Sequence, residues 1–182
     1  MDESIVHTIT EEGEGSIFES DAYAEIALSG DGSTLAIANT KSDRGTNNPA
    51  VADSTVKVFK FNVTSNEWSS TLPVYSGDAG GGGYYFGGLQ VSLSDDGSKL
   101  ALGLPYVDAN INTSVTASVG NVQVYNLASN SATLTFDLAG SLYLGTIIKE
   151  RAYIGRKVAI SGDGTSIIFS APGDNTVYLS DY

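Results

Sequence analysis

Short stretches in which apolar and polar residues alternate run along nearly the whole chain, whereas helical periodicity is nearly absent. Strict alternation places one side of an extended segment in a core and the other side in solvent, which is typical of β-strands. Gly, Asn, Asp and Ser separate the stretches, as expected of turns between strands. The pattern therefore predicts an all-β protein.

Three of these stretches are versions of one motif built around an Asp-Gly pair. They read IALSGDGSTLAI from Ile26, VSLSDDGSKLAL from Val91 and VAISGDGTSIIF from Val158. Alternation on both sides of Asp-Gly predicts a β-hairpin whose turn needs positive φ. The turn glycines at 32, 97 and 164 lie 65 and 67 residues apart, and such a period indicates a repeated structural unit.

Each repeat divides into four predicted strands, of which the first two form the Asp-Gly hairpin. Third strands are predicted at 55–61, 121–125 and 175–179, and fourth strands at 67–75 and 132–138. The third repeat has no segment for a fourth strand, while the alternating segment 4–10 precedes the first hairpin at the spacing of a fourth strand. We therefore interpret 1–182 as a single repeat domain with a spare fourth strand and three repeats, at 4–10, 18–75, 84–138 and 152–182.

Dipeptides and tripeptides at the borders of the repeats carry a family resemblance. The second repeat has Phe86-Gly87 before its hairpin and Gly103-Leu104-Pro105 after it, and the third has Ile154-Gly155 and Ser170-Ala171-Pro172. The first repeat departs from this pattern, with Tyr23-Ala24 and Ala38-Asn39-Thr40 at these places. Over nearly the whole chain the pattern resembles the FG-GAP repeats of integrin-α-type β-propellers. The resemblance implies antiparallel four-stranded propeller blades and a binding or structural module in cell adhesion or another cell-surface or extracellular assembly, with a protein or glycan as partner.

Three blades are too few for a closed propeller, because closed propellers have about four to eight. Two copies of the chain can complete a six-blade ring as a homo-oligomer, or the chain can be part of a longer polypeptide that supplies further blades. The structural alternative is a threefold β-prism, as in some lectins, in which the three sheets close on themselves. The sequence leaves all three open.

Charge and composition narrow the classes of partner. The formal net charge is −12, the isoelectric point is about 4.2 and only nine residues are Lys or Arg. Nucleic acid is therefore an unlikely ligand, since phosphate neutralisation requires clustered basic residues. The chain has no cysteine, which excludes disulfides and thiolate metal sites. No visible signal peptide and no apolar run of about 20 residues are present, so we predict no membrane span.

Metal-ligating chemistry has one weak candidate. The hairpin residues Asp31, Asp96 and Asp163 are predicted to form turns, because one or two carboxylates per turn are too few for the six to eight oxygens of a calcium site. A better start of a calcium loop is Asp108, Asn110 and Asn112, although no Gly at the sixth position and no Glu at the twelfth follow it. We therefore predict no cofactor, with calcium as the one weak candidate.

Catalytic motifs are not recognisable. The sole histidine, His7, lies in the predicted spare strand beside no nucleophile motif, and the carboxylates of Glu11, Glu12 and Glu14 lie together before the first hairpin. Paired carboxylates can hydrolyse glycosides, but their spacing along one stretch does not set the required separation. We therefore predict no catalytic residue and a protein that is not an enzyme. The alternatives are a fragment of a propeller hydrolase or lyase whose catalytic residues lie on other blades, and a β-prism-like lectin.

Two further sets of residues bear on binding. Tyr84 and Tyr85 follow the glycine-rich run 77–83 and are candidate contact aromatics. Asn62 and Asn112 begin triplets with the N-glycosylation pattern, which agrees with an extracellular setting.

Overall fold

A computed structural model of the chain describes residues 9, 22–41, 53–78, 88–111, 114–116, 118–128, 131–138 and 150–182. These residues form strands and one single-turn 3-10 segment, Pro172–Asp174. The strands are β1 (Ala22–Leu28), β2 (Thr34–Lys41), β3 (Asp53–Asn62), β4 (Glu67–Asp78), β5 (Gln90–Leu93), β6 (Lys99–Leu104), β7 (Ala109–Ile111), β8 (Ser114–Thr116), β9 (Asn121–Ala128), β10 (Ser131–Asp137), β11 (Val158–Ile160), β12 (Ser166–Ala171) and β13 (Thr176–Asp181). The prediction of an all-β chain is confirmed.

The strands form three antiparallel sheets that follow one another along the chain. Blade 1 has the order β1-β2-β3-β4, blade 2 the order β5-β6-β9-β10 and blade 3 the order β11-β12-β13. The small hairpin β7-β8 is inserted between β6 and β9 of blade 2. Each sheet is thus a meander in which strands adjacent in sequence are adjacent in space.

The first two strands of each blade share one register, as the repeated motif predicts. Ile26 pairs with Ile37, and the equivalent pairs are Val91 with Leu102 and Val158 with Phe169. The turn glycines have φ of +72°, +63° and +70°, a conformation that costs a residue with a Cβ extra energy. The preceding aspartate closes each turn: in blade 1, Asp31 Oδ1 accepts from the Ser29 hydroxyl at 2.6 Å and from the Ser33 amide at 2.9 Å.

Two apolar layers hold the three blades together. Between blades 1 and 2, the buried residues include Ala36, Ala38, Val56 and Val58 on one side and Leu93, Leu100, Leu102, Leu104 and Tyr125 on the other. Between blades 2 and 3, they include Ala101, Val122 and Val124 on one side and Ile167, Phe169 and Ala171 on the other. Each blade therefore packs its face on the next blade.

The first strands of the blades lie side by side, because β1 contacts β5 and β5 contacts β11. Sheets that share face-to-face contacts and bring their first strands together are arranged as the blades of a β-propeller, with β1, β5 and β11 nearest its axis.

Among the described residues, no blade packs on the outer face of blade 1 or of blade 3. Large apolar side chains are exposed on both, namely Ile26 and Leu28 on blade 1 and Ile168, Val177 and Leu179 on blade 3. Three sheets closed into a prism would cover these faces. The fold is therefore an incomplete propeller, and the β-prism alternative does not describe it.

The segment predicted as a spare fourth strand is described only at Ile9, since residues 4–8 and 10 lie outside the described residues. Ile9 is half-buried and packs against Ile37 and Phe59 on the open face of blade 1, next to Leu35 and Trp68. The proposed limits of the repeats at 18–75, 84–138 and 152–182 stay predictions. In the described part of the chain there is no helix long and apolar enough to cross a membrane.

Candidate functional site

Three polar side chains from three blades meet near the propeller axis. Glu25, Gln90 and Lys157 each stand immediately before the equivalent apolar residue of a first strand, and we call them the axial cluster. Gln90 Nε2 donates to Glu25 Oε1 at 2.9 Å. Lys157 Nζ donates to Glu25 Oε1 at 3.1 Å and to Gln90 Oε1 at 2.5 Å. Equivalent positions of three repeats thus converge on one hydrogen-bonded group.

The members of the axial cluster differ in burial. Gln90 is only 7% exposed, and its Nε2 also donates to the Leu89 carbonyl at 3.2 Å. The side chains of Glu25 and Lys157 are 42% and 72% exposed, so their charged ends remain in contact with solvent. Burial by itself raises the pKa of Glu25, but the hydrogen bonds from Gln90 and Lys157 together with the Lys157 charge outweigh it, and the pKa is lowered.

The axial cluster lies at the end of the blades where the second strands finish. Glu25 pairs with Ala38 and Gln90 pairs with Gly103, and the amide of Ser170 donates to the carbonyl of Lys157. The second strands of blades 1 and 2 end here, β2 at Lys41 and β6 at Leu104. A ligand bound at this end would therefore meet the charged groups of Glu25 and Lys157.

At the opposite end of the same strands, the Asp-Gly turns join the blades through their backbones. The amide of Asp31 donates to the carbonyl of Asp95 at 2.8 Å, and the amide of Asp95 donates to the carbonyl of Gly162 at 2.9 Å. The carboxylate of Asp95 fills the space beside Gly30 and Gly162, where a Cβ on either glycine would collide with it. These turns have a structural role in keeping consecutive blades in register.

The turn carboxylates are held in their charged form. Hydrogen bonds from the Ser29 hydroxyl and from Ser33 lower the pKa of Asp31. The Ser98 amide, followed by the Ser94 hydroxyl, lowers the pKa of Asp96 to about 2. Asp163 follows the same pattern, since the Ser161 hydroxyl and the Thr165 amide lower its pKa. Their hydrogen bonds therefore support the prediction that these aspartates form turns.

One lysine joins a blade to the turn of the next. Lys60 Nζ on β3 donates to Thr34 Oγ1 at 2.7 Å within blade 1 and to the carbonyl of Gly97 at 2.9 Å in blade 2. Burial lowers the pKa of Lys60, although the charges of Asp31 and Asp96 act in the opposite direction.

The second junction uses aromatic and cationic contacts. Arg156 donates to the hydroxyl of Tyr106 and lies 5.6 Å from the centre of its ring. The ring of Tyr106 meets that of Tyr153 edge-on at 5.6 Å between centroids. Side chains at this junction are therefore occupied in packing blade 3 on blade 2.

The calcium candidate is only partly described. Asp108 is exposed, and its Oδ1 accepts from the amide of Ser118 at 2.7 Å. The backbone of Asn110 lies in β7, while its side chain and the whole of Asn112 fall outside the described residues. Within the described ranges, no group of three or more His, Cys, Asp and Glu side chains could hold a metal ion. The calcium site stays a prediction.

Of the other predicted site residues, only Asn62 is described. Asn62 is exposed at the turn between β3 and β4, where its Oδ1 accepts from the amides of Thr64 at 2.9 Å and Ser65 at 3.3 Å. The remaining candidates lie outside the described residues: Tyr84, Tyr85, His7, Glu11, Glu12 and Glu14. Glycosylation and aromatic contacts remain predictions.

Sequence reasoning missed the axial cluster. Its members are an acid, an amide and a base, so no motif marks them, and they are far apart along the chain. The available signal was the alignment of the three hairpin motifs, in which Glu25, Gln90 and Lys157 occupy one position.

Comparisons with known proteins support the fold and little beyond it. No family model matches the chain, and no curated protein matches it. Among solved structures, hydrazine synthase of Kuenenia stuttgartiensis is similar with a TM-score of 0.50 at 10% identity, over 89% of this chain and 46% of that one. The β-propeller domain of the trilobed protease of Pyrococcus furiosus has a TM-score of 0.41 at 14% identity, over 90% and 41% of the two chains. A prolyl endopeptidase has a TM-score of 0.38 at 15% identity, over 89% and 22%. The chain thus spans less than half the length of each.

The class of protein that follows is the β-propeller. The finer resemblance to FG-GAP repeats is supported by no family model and stays a resemblance. The prediction that the chain is not an enzyme was wrong, because it treated the lack of a recognisable catalytic motif as sufficient evidence against catalysis. Hydrazine synthase, an enzyme, has a similar fold at low identity and partial coverage, so the missing motif does not separate this chain from enzymes.

Proposed function

We propose that this chain is a propeller-forming binding module whose two open blade faces are covered by further blades. The completed propeller contacts a protein or glycan partner, in a cell-surface or extracellular assembly. The observation that carries the proposal is that the two open faces bear apolar residues at the positions that are buried between blades.

Equivalent positions make this comparison direct. Leu28 on the open face of blade 1 is 59% exposed, whereas the equivalent Leu93 of blade 2 is 9% exposed. Leu179 on the open face of blade 3 is 74% exposed, whereas the equivalent Val124 of blade 2 is fully buried. Burying one such side chain contributes about 1.5–3 kcal/mol, and contiguous apolar surface on a soluble domain marks an interaction site. The open faces are therefore suited to take up blades.

The end of the propeller that carries the axial cluster is the proposed contact surface for the partner. Glu25 and Lys157 offer a carboxylate and an ammonium to solvent, at the end of the blades where β2 and β6 finish. Such a mixed polar surface can hydrogen-bond to a glycan or to polar side chains of a protein. The opposite end is occupied by turn-to-turn hydrogen bonds that hold the blades.

Covering of the faces can be measured with single cysteines, because the chain has none of its own. Leu28→Cys and Leu179→Cys report on the two faces, and Leu134→Cys, an exposed leucine on β10, is the matched control. In cells that produce the protein we expect a maleimide to label Leu134→Cys faster than the two face variants. Labelling of all three at equal rates would contradict the proposal.

The same cysteine variants test whether the protein is at the cell surface or secreted. A membrane-impermeant maleimide should label Leu134→Cys on intact cells or in their medium if the protein is at the surface or secreted. Labelling that requires lysis of the cells would contradict an extracellular location.

The contact surface is tested by binding of wild type and variants to a glycan array and to surface proteins of the same cells. We expect Lys157→Ala to weaken binding and Asp163→Asn, at the opposite end, to leave it unchanged. Equal effects of the two variants would place the contact elsewhere.

A further inference from the structure

We infer that the blades covering the open faces belong to a second copy of this chain, with blade 3 of one copy on blade 1 of the other. The inference rests on the proposed function, in that it names the partner for the open faces. Two head-to-tail copies contain six blades, within the range of closed propellers, whereas three copies would contain nine and exceed it.

The two junctions inside the chain show what the new junction requires. The turn glycine of each following blade sits on the first residue of the second strand of the blade before it: Gly97 on Thr34, and Gly164 on Lys99. At Gly164 a Cβ would lie 3.4 Å from the Cβ of Lys99. In the alignment of the repeats, Gly32 of blade 1 is the turn glycine and Ser166 of blade 3 is the first residue of the second strand. These two residues would therefore meet at the new junction.

Gly32 has the free space that this role demands. A Cβ built on Gly32 meets no described atom within 4 Å, although the backbone has the same positive φ as Gly97 and Gly164. The turn of blade 1 therefore has the same conformation as the two turns that pack on a preceding blade, but no described residue packs against it.

Charge favours the same pairing. Around the axis, one copy contributes Glu25, Gln90 and Lys157 in that order. In a ring of two copies, Lys157 of one copy is followed by Glu25 of the other, so an ammonium and a carboxylate are neighbours at each new junction. The Lys157 ammonium has three N–H donors, and two acceptors for it are described, on Glu25 and Gln90. The carboxylate of Glu25 in the second copy can accept a further N–H of this ammonium.

The outer part of the blade 1 face points to blade 3 as well. Fourth strands of consecutive blades touch, since β4 contacts β10. Ile9 packs on the buried pair Ile37 and Phe59, on the strands β2 and β3 of blade 1, so the outer face of this blade accepts an apolar side chain from outside its own sheet. Blade 3 has three described strands, and its outermost strand β13 pairs with no other described strand. A second copy would thus bring β13 to the face of blade 1 that carries Ile9.

Disulfide trapping tests the inference on the whole chain. The double variant Gly32→Cys/Ser166→Cys should give a covalent dimer on a non-reducing gel, because Cβ atoms about 3.5–4.5 Å apart can form a disulfide. Gly164→Cys/Lys99→Cys is the internal control and should give an intrachain disulfide in a monomer, with the same backbone strain at its glycine position. Physiological salt should be used, since each copy carries a net charge of −12 and repulsion is screened there.

A covalent dimer that disappears on reduction, together with monomers for each single variant, supports the inference. Monomer alone, when the internal control forms its disulfide, overturns it, and so does a ladder of larger species, because a six-blade ring contains two copies only. The proposed function fails separately: it is lost if the two faces label like Leu134→Cys in cells, whereas protected faces without a trapped dimer would leave it standing with another source of blades.

Discussion

Lys157 Nζ lies 3.1 Å from Glu25 Oε1, so a side chain of blade 3 reaches one of blade 1 past the first strand of blade 2. The pair is too exposed to stabilise the fold strongly, since open ion pairs contribute about 0–1 kcal/mol. Gln90 lies between the two and is nearly buried. The cluster therefore combines a structural amide with two charged groups that remain available to a ligand.

The difference in burial between Gln90 and Lys157 gives the first prediction. Gln90→Ala should lower the free energy of unfolding by about 1–3 kcal/mol, because a buried carbonyl and a half-buried carboxylate lose their donor. Lys157→Ala should lower it by less than about 1 kcal/mol. Urea denaturation of both variants measures the difference, and an equal loss would show that Gln90 is not the structural member.

The turn aspartates predict a loss of stability in acid. Their folded pKa values lie below the ordinary value of 3.8, and that of Asp96 is about 2. A carboxylate with a lowered folded pKa stabilises the fold above its unfolded pKa, and this contribution disappears as pH falls through the folded value. The free energy of unfolding should therefore fall between about pH 4 and pH 2.

Asp96→Asn isolates one turn in this experiment. The amide still accepts the Ser98 amide proton but does not titrate, so the variant should be less stable at neutral pH and lose less stability in acid. An unchanged slope of unfolding free energy against pH would contradict the assignment of the low pKa to Asp96.

Two turn glycines form a matched pair for the blade junction. Gly32→Ala should destabilise the chain by about 1–2 kcal/mol, the cost of positive φ for a residue with a Cβ. Gly97→Ala should cost more, since a Cβ at Gly97 would lie 2.5 Å from the Cβ of Thr34. Thermal unfolding of the two variants at low protein concentration compares them, and equal losses would mean that blade 2 does not rest on Thr34.

The apolar layer between blades 1 and 2 carries the fourth prediction. Leu102 is fully buried there, and Leu102→Ala should lower the unfolding free energy by about 2–5 kcal/mol through lost burial and a cavity. Leu134→Ala, at a position of β10 that is 44% exposed, should change it by less than about 1 kcal/mol. Guanidinium denaturation gives both values, and a small effect at Leu102 would contradict face-to-face packing.

The hairpins were predictable because their determinants are local. Alternation fixes which side of each strand is buried, and Asp-Gly fixes the turn, so the pairing of Ile26 with Ile37 and its two equivalents follows from about twelve residues of sequence each. The four strands of blades 1 and 2 and the three described strands of blade 3 followed from the same alternation further along the chain.

What the sequence did not show depends on packing between blades. Glu25 and Lys157 meet only because β1, β5 and β11 lie side by side, which no local pattern encodes. The position of glycine before the hairpins is a second case. Gly155 of blade 3 has φ of +84° and lies against the backbone of blade 2. The equivalent glycine of blade 2 is Gly88, which lies against Thr40 of blade 1. Both stand three residues before the first apolar residue of the motif, whereas the dipeptide Phe86-Gly87 placed the glycine one residue earlier.

Pairing between sequence neighbours in every sheet has a consequence for how the protein forms. Since β1 to β4 pair with one another and with no other described strand, blade 1 can assemble during synthesis before β5 leaves the ribosome. Each later blade then finds a finished surface to dock on, and the backbone links from Asp31 to Asp95 and from Asp95 to Gly162 close in that order. Translation would thus build the molecule from its amino terminus, one meander at a time.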